Sequence, residues 1–307
     1  RNRPPPHRQD MKNLVYFGSP EFSAQILESL LKNQEIRVGG VACPPDYRVV
    51  GVVSQPDKPV GRKQILTPSS VTSLAANHDL PIYQPTKLDA ANLSHIKLLK
   101  PDIFLVASYG LFMPSEWLST PTIGTFNLHF SLLPKYRGAL CIQEAIKNQD
   151  TETGVTLMVM DEKMDHGPIV DQAKVAIEPN DNVAKLTTKL TQAGIQILER
   201  NLPEICAQKY TSIPQNENLA TFTPSLKTLT HQSAFIPWEK LCQFDLTTNA
   251  LINSLNPQPG VWTTYNNQEL KILQTKVSGD KFEITTVQIP GKNPTTWKQF
   301  LSGHQIP

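Results

Sequence analysis

Short apolar runs alternate with segments of helical periodicity along the first two thirds of the chain. Leu14 to Phe17 is apolar, and after a Gly-Ser-Pro turn the segment from Phe22 to Leu31 places apolar residues at helical spacing. Apolar runs at 49–53, 103–107 and 125–129 predict central strands. Strands that alternate with helices imply right-handed crossovers, so the pattern predicts a doubly wound, Rossmann-like α/β fold with a parallel sheet.

The same reasoning completes the predicted first domain. Its other elements are helices at 69–77, 90–99 and 182–204 and extended segments at 82–83, 154–160 and 169–176. The stretch from Arg37 to Tyr47 carries two glycines and two prolines between the first helix and the second strand. We interpret this stretch as an inserted surface loop.

The periodic pattern changes after the long helix. Residues 208–227 are rich in Asn, Thr, Ser and Pro and have no clear period, which is typical of a linker. Alternating stretches at 261–265, 270–277 and 282–287 then indicate a small β-rich domain. The predicted organisation is a flexible tail (1–10), a first domain (11–207), a linker (208–227) and a second domain (228–307).

Composition narrows the class without identifying a partner. The chain has 307 residues, 39% hydrophobic and 18% charged, which suits a soluble protein of two domains. It lacks an apolar run of roughly 18 residues, and its formal charge of +2 is too small to indicate nucleic-acid binding by a global field. The four cysteines lie far apart, without metal-like spacing. We therefore expect a reduced, cytoplasmic setting, no membrane partner and no metal.

The first strand and turn do not support a nicotinamide cofactor. The turn reads Gly18-Ser19-Pro20 instead of G-x-G-x-x-G, and the chain has no GxxxxGK[ST] phosphate loop. A doubly wound sheet does not assign a function by itself.

The stretch FNLHFSLLPKYRG, residues 126–138, carries candidate chemistry. In a strand over 125–129, Asn127 and His129 are two residues apart and project from the same face. They come at the carboxyl end of the strand, where ligands bind in open α/β sheets. Such a pair is also a common structural motif, in which the two side chains only hydrogen-bond within the fold.

A second polar stretch, MDEKMDHGPIV, lies between two predicted strands and carries Asp161 and Asp165. An amide, an imidazole and a carboxylate suit acyl transfer. His129 could relay the proton of an attacking amine, Asn127 could donate to the oxyanion, and Asp165 could orient the imidazole.

These residues resemble the signature of the formyltransferase family that uses 10-formyltetrahydrofolate. Asn127, His129, the SLLP run, Arg137-Gly138 and Asp165 fall in that family's order and spacing. The resemblance implies that Asn127, His129 and Asp165 are catalytic. It also implies that a folate pocket is formed by Ser108, Tyr109, Gly110, Leu111, Ser131, Leu132, Leu133, Pro134 and Asp161, with the Asp161 loop closing over the pterin ring.

The resemblance extends from Met11 to the C-terminus and is greatest to members that act on tRNA. The stretch QPDKPVGRKQILTPS, residues 55–69, resembles the loop with which those members reach the acceptor end. Arg62 and Lys63 would then face tRNA, although charges on such a loop are usually only solvated. The C-terminal part resembles the family's OB-like β-barrel, in which Trp262 and Trp297 are expected to pack in the core.

One departure from the family lies after Gly138. The chain has Ala139-Leu140-Cys141 where the family has Ala-Ala-Pro, and we expect Cys141 to be a small buried residue.

The resemblance implies formyl transfer from 10-formyltetrahydrofolate to the α-amino group of methionine on initiator tRNA, by a monomer. Two alternatives stay open. One is a formyltransferase for a nucleotide-linked aminosugar, against which the 55–69 loop argues. The other is a noncatalytic RNA-binding protein on the same fold, against which the intact Asn127, His129 and Asp165 argue.

Overall fold

The computed structural model describes residues 11–34, 37–38, 41–42, 46–61 and 63–303. The tail predicted at 1–10 lies outside the described residues. The chain divides into two compact units. The first comprises residues up to Pro134, Gly154–Ala173 and Leu190–Leu219. The second comprises Lys135–Thr153, Lys174–Lys189 and the chain from Ala220 onward.

The secondary structure follows the expected alternation. In chain order the strands are β1 (Lys12–Gly18), β2 (Arg37–Val38), β3 (Val41–Ala42), β4 (Tyr47–Val53), β5 (Lys58–Val60), β6 (Ile65–Thr67), β7 (Ile82–Tyr83), β8 (Ile103–Ala107), β9 (Gly124–His129), β10 (Glu152–Val159), β11 (Ile169–Ala176), β12 (Trp262–Tyr265), β13 (Gln268–Ser278), β14 (Lys281–Gln288) and β15 (Thr295–Thr296). The helices are α1 (Glu21–Gln34), α2 (Ser70–Asn77), α3 (Ala90–Lys97), α4 (Ser115–Leu118), α5 (Cys141–Lys147), α6 (Val183–Cys206), α7 (Trp238–Leu241), α8 (Leu246–Leu255) and α9 (Trp297–Gly303).

A seven-stranded sheet has the order β11-β10-β9-β8-β1-β4-β7. Strand β1 lies in the interior of the sheet, pairs in parallel with β4 and β8, and buries Leu14 to Phe17 completely. All five residues of β8 are buried as well. Such continuous apolar runs are typical of strands that are covered on both faces, so the predicted Rossmann-like α/β class is confirmed.

The antiparallel edge of this sheet differs from the prediction of a parallel sheet. Strands β8 and β9 are parallel, but β10 runs antiparallel to β9. The helix between them, α5, packs against α8 of the second unit. The connection from β9 to β10 is therefore not the helical crossover that returns a chain to a parallel strand.

Two segments interpreted as loops contain strands. The prediction of a loop over Arg37 to Tyr47 is wrong where the structure describes it, because β2 pairs with β3 and Tyr47 begins β4. Residues 39–40 and 43–45 of this stretch lie outside the described residues. Strands β5 and β6 form a hairpin within the 55–69 segment.

The second unit contains a small antiparallel sheet of the order β12-β13-β14-β15, as expected for the C-terminal part. Its core includes Ile252, Ile272 and Phe282, which are almost fully buried. Trp262 and Trp297 are partly buried and pack against this core, which confirms their predicted packing role.

Candidate active site

Strand β9 brings Asn127 and His129 to one edge of the sheet. Asn127 lies opposite Val106 of β8 and Met158 of β10, and His129 ends the strand opposite Thr156. Because side chains alternate along a strand, both project from the same face. Their side chains are buried, with 9% and 7% of their surface exposed. Ligands bind at the carboxyl ends of strands in open α/β sheets, and a buried polar side chain needs a hydrogen-bonding partner. The positions of Asn127 and His129 therefore suit a ligand site that is partly shielded from water.

The structure brings Asp165 to His129. Asp165 lies on the loop that joins β10 to β11, and its Oδ2 is 3.7 Å from His129 Nδ1. This distance is longer than a hydrogen bond but short enough for a strong charge contact with a protonated imidazole. Asp165 has a φ of 49°, in the left-handed region that aspartate adopts more readily than most residues. The predicted carboxylate and imidazole therefore form a pair.

The β10–β11 loop, residues 160–168, is tied back to the sheet at its two ends. The Met160 amide donates to the Thr125 carbonyl at 2.8 Å, and the Val159 amide donates to the Pro168 carbonyl at 2.9 Å. Gly167 makes this closure possible, because a Cβ atom there would lie 1.8 Å from the Val159 oxygen. Only glycine allows so close an approach of two backbone segments.

Asp161 organises the same loop, and His166 is its partner. Asp161 Oδ2 lies 2.5 Å from His166 Nδ1, and Asp161 Oδ1 accepts a hydrogen bond from the Lys163 amide at 3.0 Å. His166 Nε2 lies 3.5 Å from a carboxylate oxygen of Glu217. Sequence reasoning predicted Asp161 and missed His166, although a histidine directly after Asp165 was a visible signal.

The Ser131–Pro134 turn is held by two side chains that sequence reasoning missed. Thr156 Oγ1 donates to the Ser131 carbonyl at 2.7 Å and accepts from the Leu133 amide at 3.1 Å. Gln172 Nε2 donates to Thr156 Oγ1 at 2.8 Å and to the Leu133 carbonyl at 2.9 Å. Ser131 and Leu133 are buried, whereas Leu132 and Pro134 are half-buried. Thr156 was detectable as a polar residue inside an apolar strand.

Residues Ser108–Leu111 follow β8 directly. Ser108 and Gly110 have positive φ values of 58° and 84°, and Leu111 is exposed. Tyr109 turns into the core against Phe17, with ring centroids 5.6 Å apart, and burial raises its pKa to about 12. Of the four predicted folate-binding residues in this segment, Tyr109 therefore offers a ligand its backbone more readily than its side chain.

Gln55, two residues after the end of β4, supports this segment. Its Nε2 donates to the Tyr109 carbonyl at 2.8 Å, and a Cβ atom at position 110 would lie 2.7 Å from the same nitrogen. Gly110 is favoured by its positive φ, and a side chain there would also displace the Gln55 carboxamide.

Two protein-family models match this chain. The family described as Formyl transferase matches residues 11–202, and Formyl transferase, C-terminal domain, matches residues 229–285. The chain belongs to the formyl transferase family. The resemblance inferred from the sequence is confirmed.

Relatives of this formyltransferase cover nearly its whole length. The methionyl-tRNA formyltransferase of Staphylococcus epidermidis is 33% identical over 320 residues, covering 96% of this chain and 97% of the relative. That of Latilactobacillus sakei is 39% identical over 283 residues, covering 92% and 82%. The solved N-formyltransferase of Helicobacter canadensis, in complex with folinic acid and dTDP-3-aminofucose, shares the fold, with a TM-score of 0.63, 20% identity, and coverage of 91% of this chain and 95% of that one.

The hairpin of β5 and β6 is the exposed feature of the formyltransferase that sequence reasoning assigned to tRNA. Its strand residues are exposed, and the Gln64 amide closes the turn on the Gly61 carbonyl at 3.2 Å. Lys63 is an exposed residue of this turn, and Arg62 lies outside the described residues. A polar turn on a short hairpin can reach a phosphate backbone without disturbing the fold.

Arg137 and Cys141, which the sequence analysis also named, are both buried. Arg137 is buried in the second unit, where its amide donates to the Thr221 carbonyl and its carbonyl accepts from the Thr223 amide, both at 2.8 Å. Cys141 is buried at the start of α5, which confirms the expectation of a buried residue.

The described residues contain neither a cluster of metal ligands nor a helix that could span a membrane. Among them, no three His, Cys, Asp or Glu side chains converge as a metal site would require. Across the same part of the chain, every helix is too short or too polar to cross a bilayer.

Proposed function

We propose that this formyltransferase transfers the formyl group of 10-formyltetrahydrofolate to the α-amino group of methionine on initiator tRNA. The observation that carries the proposal is the pairing of His129 with Asp165 beside Asn127, at the carboxyl end of β9. Relatives that are 33% and 39% identical over more than 90% of the chain are methionyl-tRNA formyltransferases, which supports the choice of acceptor.

The chemical step begins with attack of the neutral amine on the formyl carbon. A free α-amino group has a pKa of about 7.7 to 8.0, so a useful neutral fraction exists near pH 7. A C–N bond forms to the amine, the amine proton passes to His129, and collapse breaks the bond from the formyl carbon to N10 of the folate. His129 then returns the proton to the departing nitrogen.

Asp165 and Asn127 stabilise the two charges of this step. The carboxylate 3.7 Å from His129 Nδ1 favours the imidazolium that forms when the imidazole takes the proton. The Asn127 amide donates a hydrogen bond to the oxyanion on the formyl carbon. Removal of one such donor typically costs about 2.7 to 4 kcal/mol of transition-state stabilisation.

The donor site is proposed to lie between three segments of the first unit. Ser108–Leu111 and Ser131–Pro134 follow the adjacent strands β8 and β9, and the 160–168 loop contributes Asp161. Polar backbone groups at these strand ends suit the hydrogen-bonding edge of a pterin ring. The solved relative from Helicobacter canadensis binds folinic acid, which supports a folate donor.

The acceptor tRNA is proposed to be held by the β5–β6 hairpin. Arg62 and Lys63 would contact phosphates, because backbone contacts supply much of nucleic-acid affinity. The proposal further includes a monomer that works in the cytoplasm, as expected from the sequence.

A sugar acceptor is the second candidate, because the Helicobacter canadensis relative of the same fold binds dTDP-3-aminofucose. A noncatalytic RNA-binding role is the third. Purified protein should be given 10-formyltetrahydrofolate with methionyl initiator tRNA or with a dTDP-aminosugar. We expect formyl transfer to the tRNA alone. Transfer to the sugar alone would contradict the proposed acceptor, and binding of tRNA without transfer would contradict an enzymatic role.

A Lys63→Ala variant tests the hairpin, with exposed Lys97→Ala of α3 as the matched control. We expect only Lys63→Ala to bind tRNA more weakly. Its binding constant should also fall less steeply with salt concentration, by the amount that corresponds to about one lost phosphate contact. Equal binding by both variants would contradict the hairpin assignment.

A further inference from the structure

A short segment of the predicted linker, here called the strap and defined as residues 213–217, lies along the 160–168 loop. The Ile213 amide donates to the Ile169 carbonyl and the Ile169 amide donates back to the Ile213 carbonyl, both at 2.8 Å. Glu217 approaches His166 at 3.5 Å. The strap and the loop both belong to the first unit. The strap is therefore hydrogen-bonded at its start to the first residue of β11 and lies near the loop at its end.

Gln215 occupies the middle of the strap. Its Nε2 donates to the Asp165 carbonyl at 2.9 Å and to the Gly167 carbonyl at 2.8 Å. One carboxamide thus holds two carbonyls on either side of His166. Both bonds have normal lengths for N–H to oxygen hydrogen bonds.

The backbone that Gln215 holds is conformationally demanding. Asp165 has a φ of 49°, in the left-handed region, which costs free energy for a residue other than glycine even though aspartate adopts it more readily than most. The Met160–Thr125 and Val159–Pro168 hydrogen bonds fix the ends of the loop, and the Asp161–His166 contact fixes a side chain. Gln215 bonds the carbonyl of Asp165 itself, so it acts on the peptide unit that directs the carboxylate toward His129.

We infer that Gln215 is a positioning residue for the reaction: it holds the Asp165 backbone so that the carboxylate stays within reach of His129. This inference rests on the proposed function, in which Asp165 stabilises the imidazolium. Its chemistry needs two N–H donors on a neutral group. A glutamate there would present oxygens to two carbonyl oxygens, and an alanine would remove both donors.

The test uses the full-length protein with Gln215→Ala, Gln215→Glu and, as a matched control, Gln288→Ala. Gln288 also donates from Nε2 to a backbone carbonyl, that of Lys292, at 2.8 Å. We expect kcat to fall about tenfold in Gln215→Ala and further in Gln215→Glu, with KM for both substrates within about twofold. The control should keep kcat within about twofold.

A double-mutant cycle distinguishes a positioning role of Gln215 from a general loss of stability. If Gln215 acts through Asp165, Gln215→Ala should lower kcat by less than about twofold in an Asp165→Ala background. A tenfold loss in both backgrounds would overturn the inference, as would unchanged kcat in the single variant.

Hydrogen exchange keeps the inference testable without turnover. In Gln215→Ala we expect the amides of 161–167 to exchange about tenfold faster, with β8 and β9 unchanged. Unchanged protection of the loop would overturn the inference. If the wild-type protein formylates no methionyl-tRNA, the proposed function fails, and the exchange result still decides whether Gln215 holds the Asp165 backbone.

Discussion

The two halves of the proposed active site are fixed in place by different means. Asn127 and His129 lie on β9, between β8 and β10, where backbone hydrogen bonds of a buried sheet set their positions. Asp165 lies on the 160–168 loop, where side-chain contacts from Gln215 and from the Asp161–His166 pair hold the backbone. The strand half should therefore tolerate changes around it, whereas the loop half should lose its geometry when one supporting group is removed.

The largest effect is expected from the strand half itself. His129→Ala removes the group that carries the proton, so kcat should fall about 10²- to 10⁴-fold. Steady-state formylation measures the loss, and a thermal melt checks that the variant is folded. A loss below tenfold in a folded variant would contradict a catalytic role for this strand position.

Asn127→Ala should have the next largest effect. Loss of the oxyanion donor should lower kcat about 10²- to 10³-fold while KM for tRNA changes little, because the interaction forms in the transition state. The measurement is kcat and KM with each substrate varied in turn. A raised KM with normal kcat would assign Asn127 to ground-state binding instead.

Gly167→Ala tests the loop half by moving its backbone. The added Cβ would lie 1.8 Å from the Val159 oxygen, so one segment must shift, and we expect about a tenfold loss of kcat. Gly194→Ala in α6 is the matched control, because its nearest new contact is 3.7 Å. The control should retain activity and gain about 0.5 to 1 kcal/mol of stability from helix propensity. Equal activity in both variants would show that the loop is less constrained than the contacts imply.

The smallest effect concerns Tyr109, which packs below the β8 end of the site. Burial raises its pKa to about 12, above the ordinary value near 10, so the fold favours the neutral phenol. Its contribution to stability is present below pH 10 and is lost as pH rises from 10 through 12. Tyr109→Phe should therefore be more resistant to alkali than the wild type, by about 1 to 3 kcal/mol.

Urea unfolding of the two proteins at pH 8 and at pH 11 measures this difference. Burial also raises the pKa of Tyr16 and Tyr47, so both proteins lose stability at these residues in alkali. Only the difference in unfolding free energy between the wild type and Tyr109→Phe therefore reports on Tyr109. The prediction would be contradicted if the free energy of unfolding fell by the same amount in the wild type and the variant between pH 8 and pH 11.

Periodicity predicted the strand half well and the loop half poorly. The β8 and β11 bounds agree with the apolar runs, and the two-residue spacing of Asn127 and His129 placed both on one face. Alternation cannot reveal strand direction, so the antiparallel β10 was not predicted. The β5–β6 hairpin was missed because its strands are three residues long and exposed, too short to show an alternating pattern.

Contacts between distant residues explain what else escaped prediction. Gln172 meets Leu133 across 39 positions, and Gln215 meets Asp165 across 50 positions. Gln172 lies in the predicted strand at 169–176 and Gln215 in the predicted linker, but neither prediction names a partner, so only the folded chain brings these donors to the turn and the loop that they hold.

The most direct test of the account is the identity of the amino acid on the tRNA after reaction. Methionyl initiator tRNA should be incubated with 10-formyltetrahydrofolate and either the wild-type protein or His129→Ala, then hydrolysed and examined by mass spectrometry. The account predicts N-formylmethionine with the wild type and unmodified methionine with the variant over the same interval. Unmodified methionine in both reactions, or N-formylmethionine in equal amounts, would contradict it.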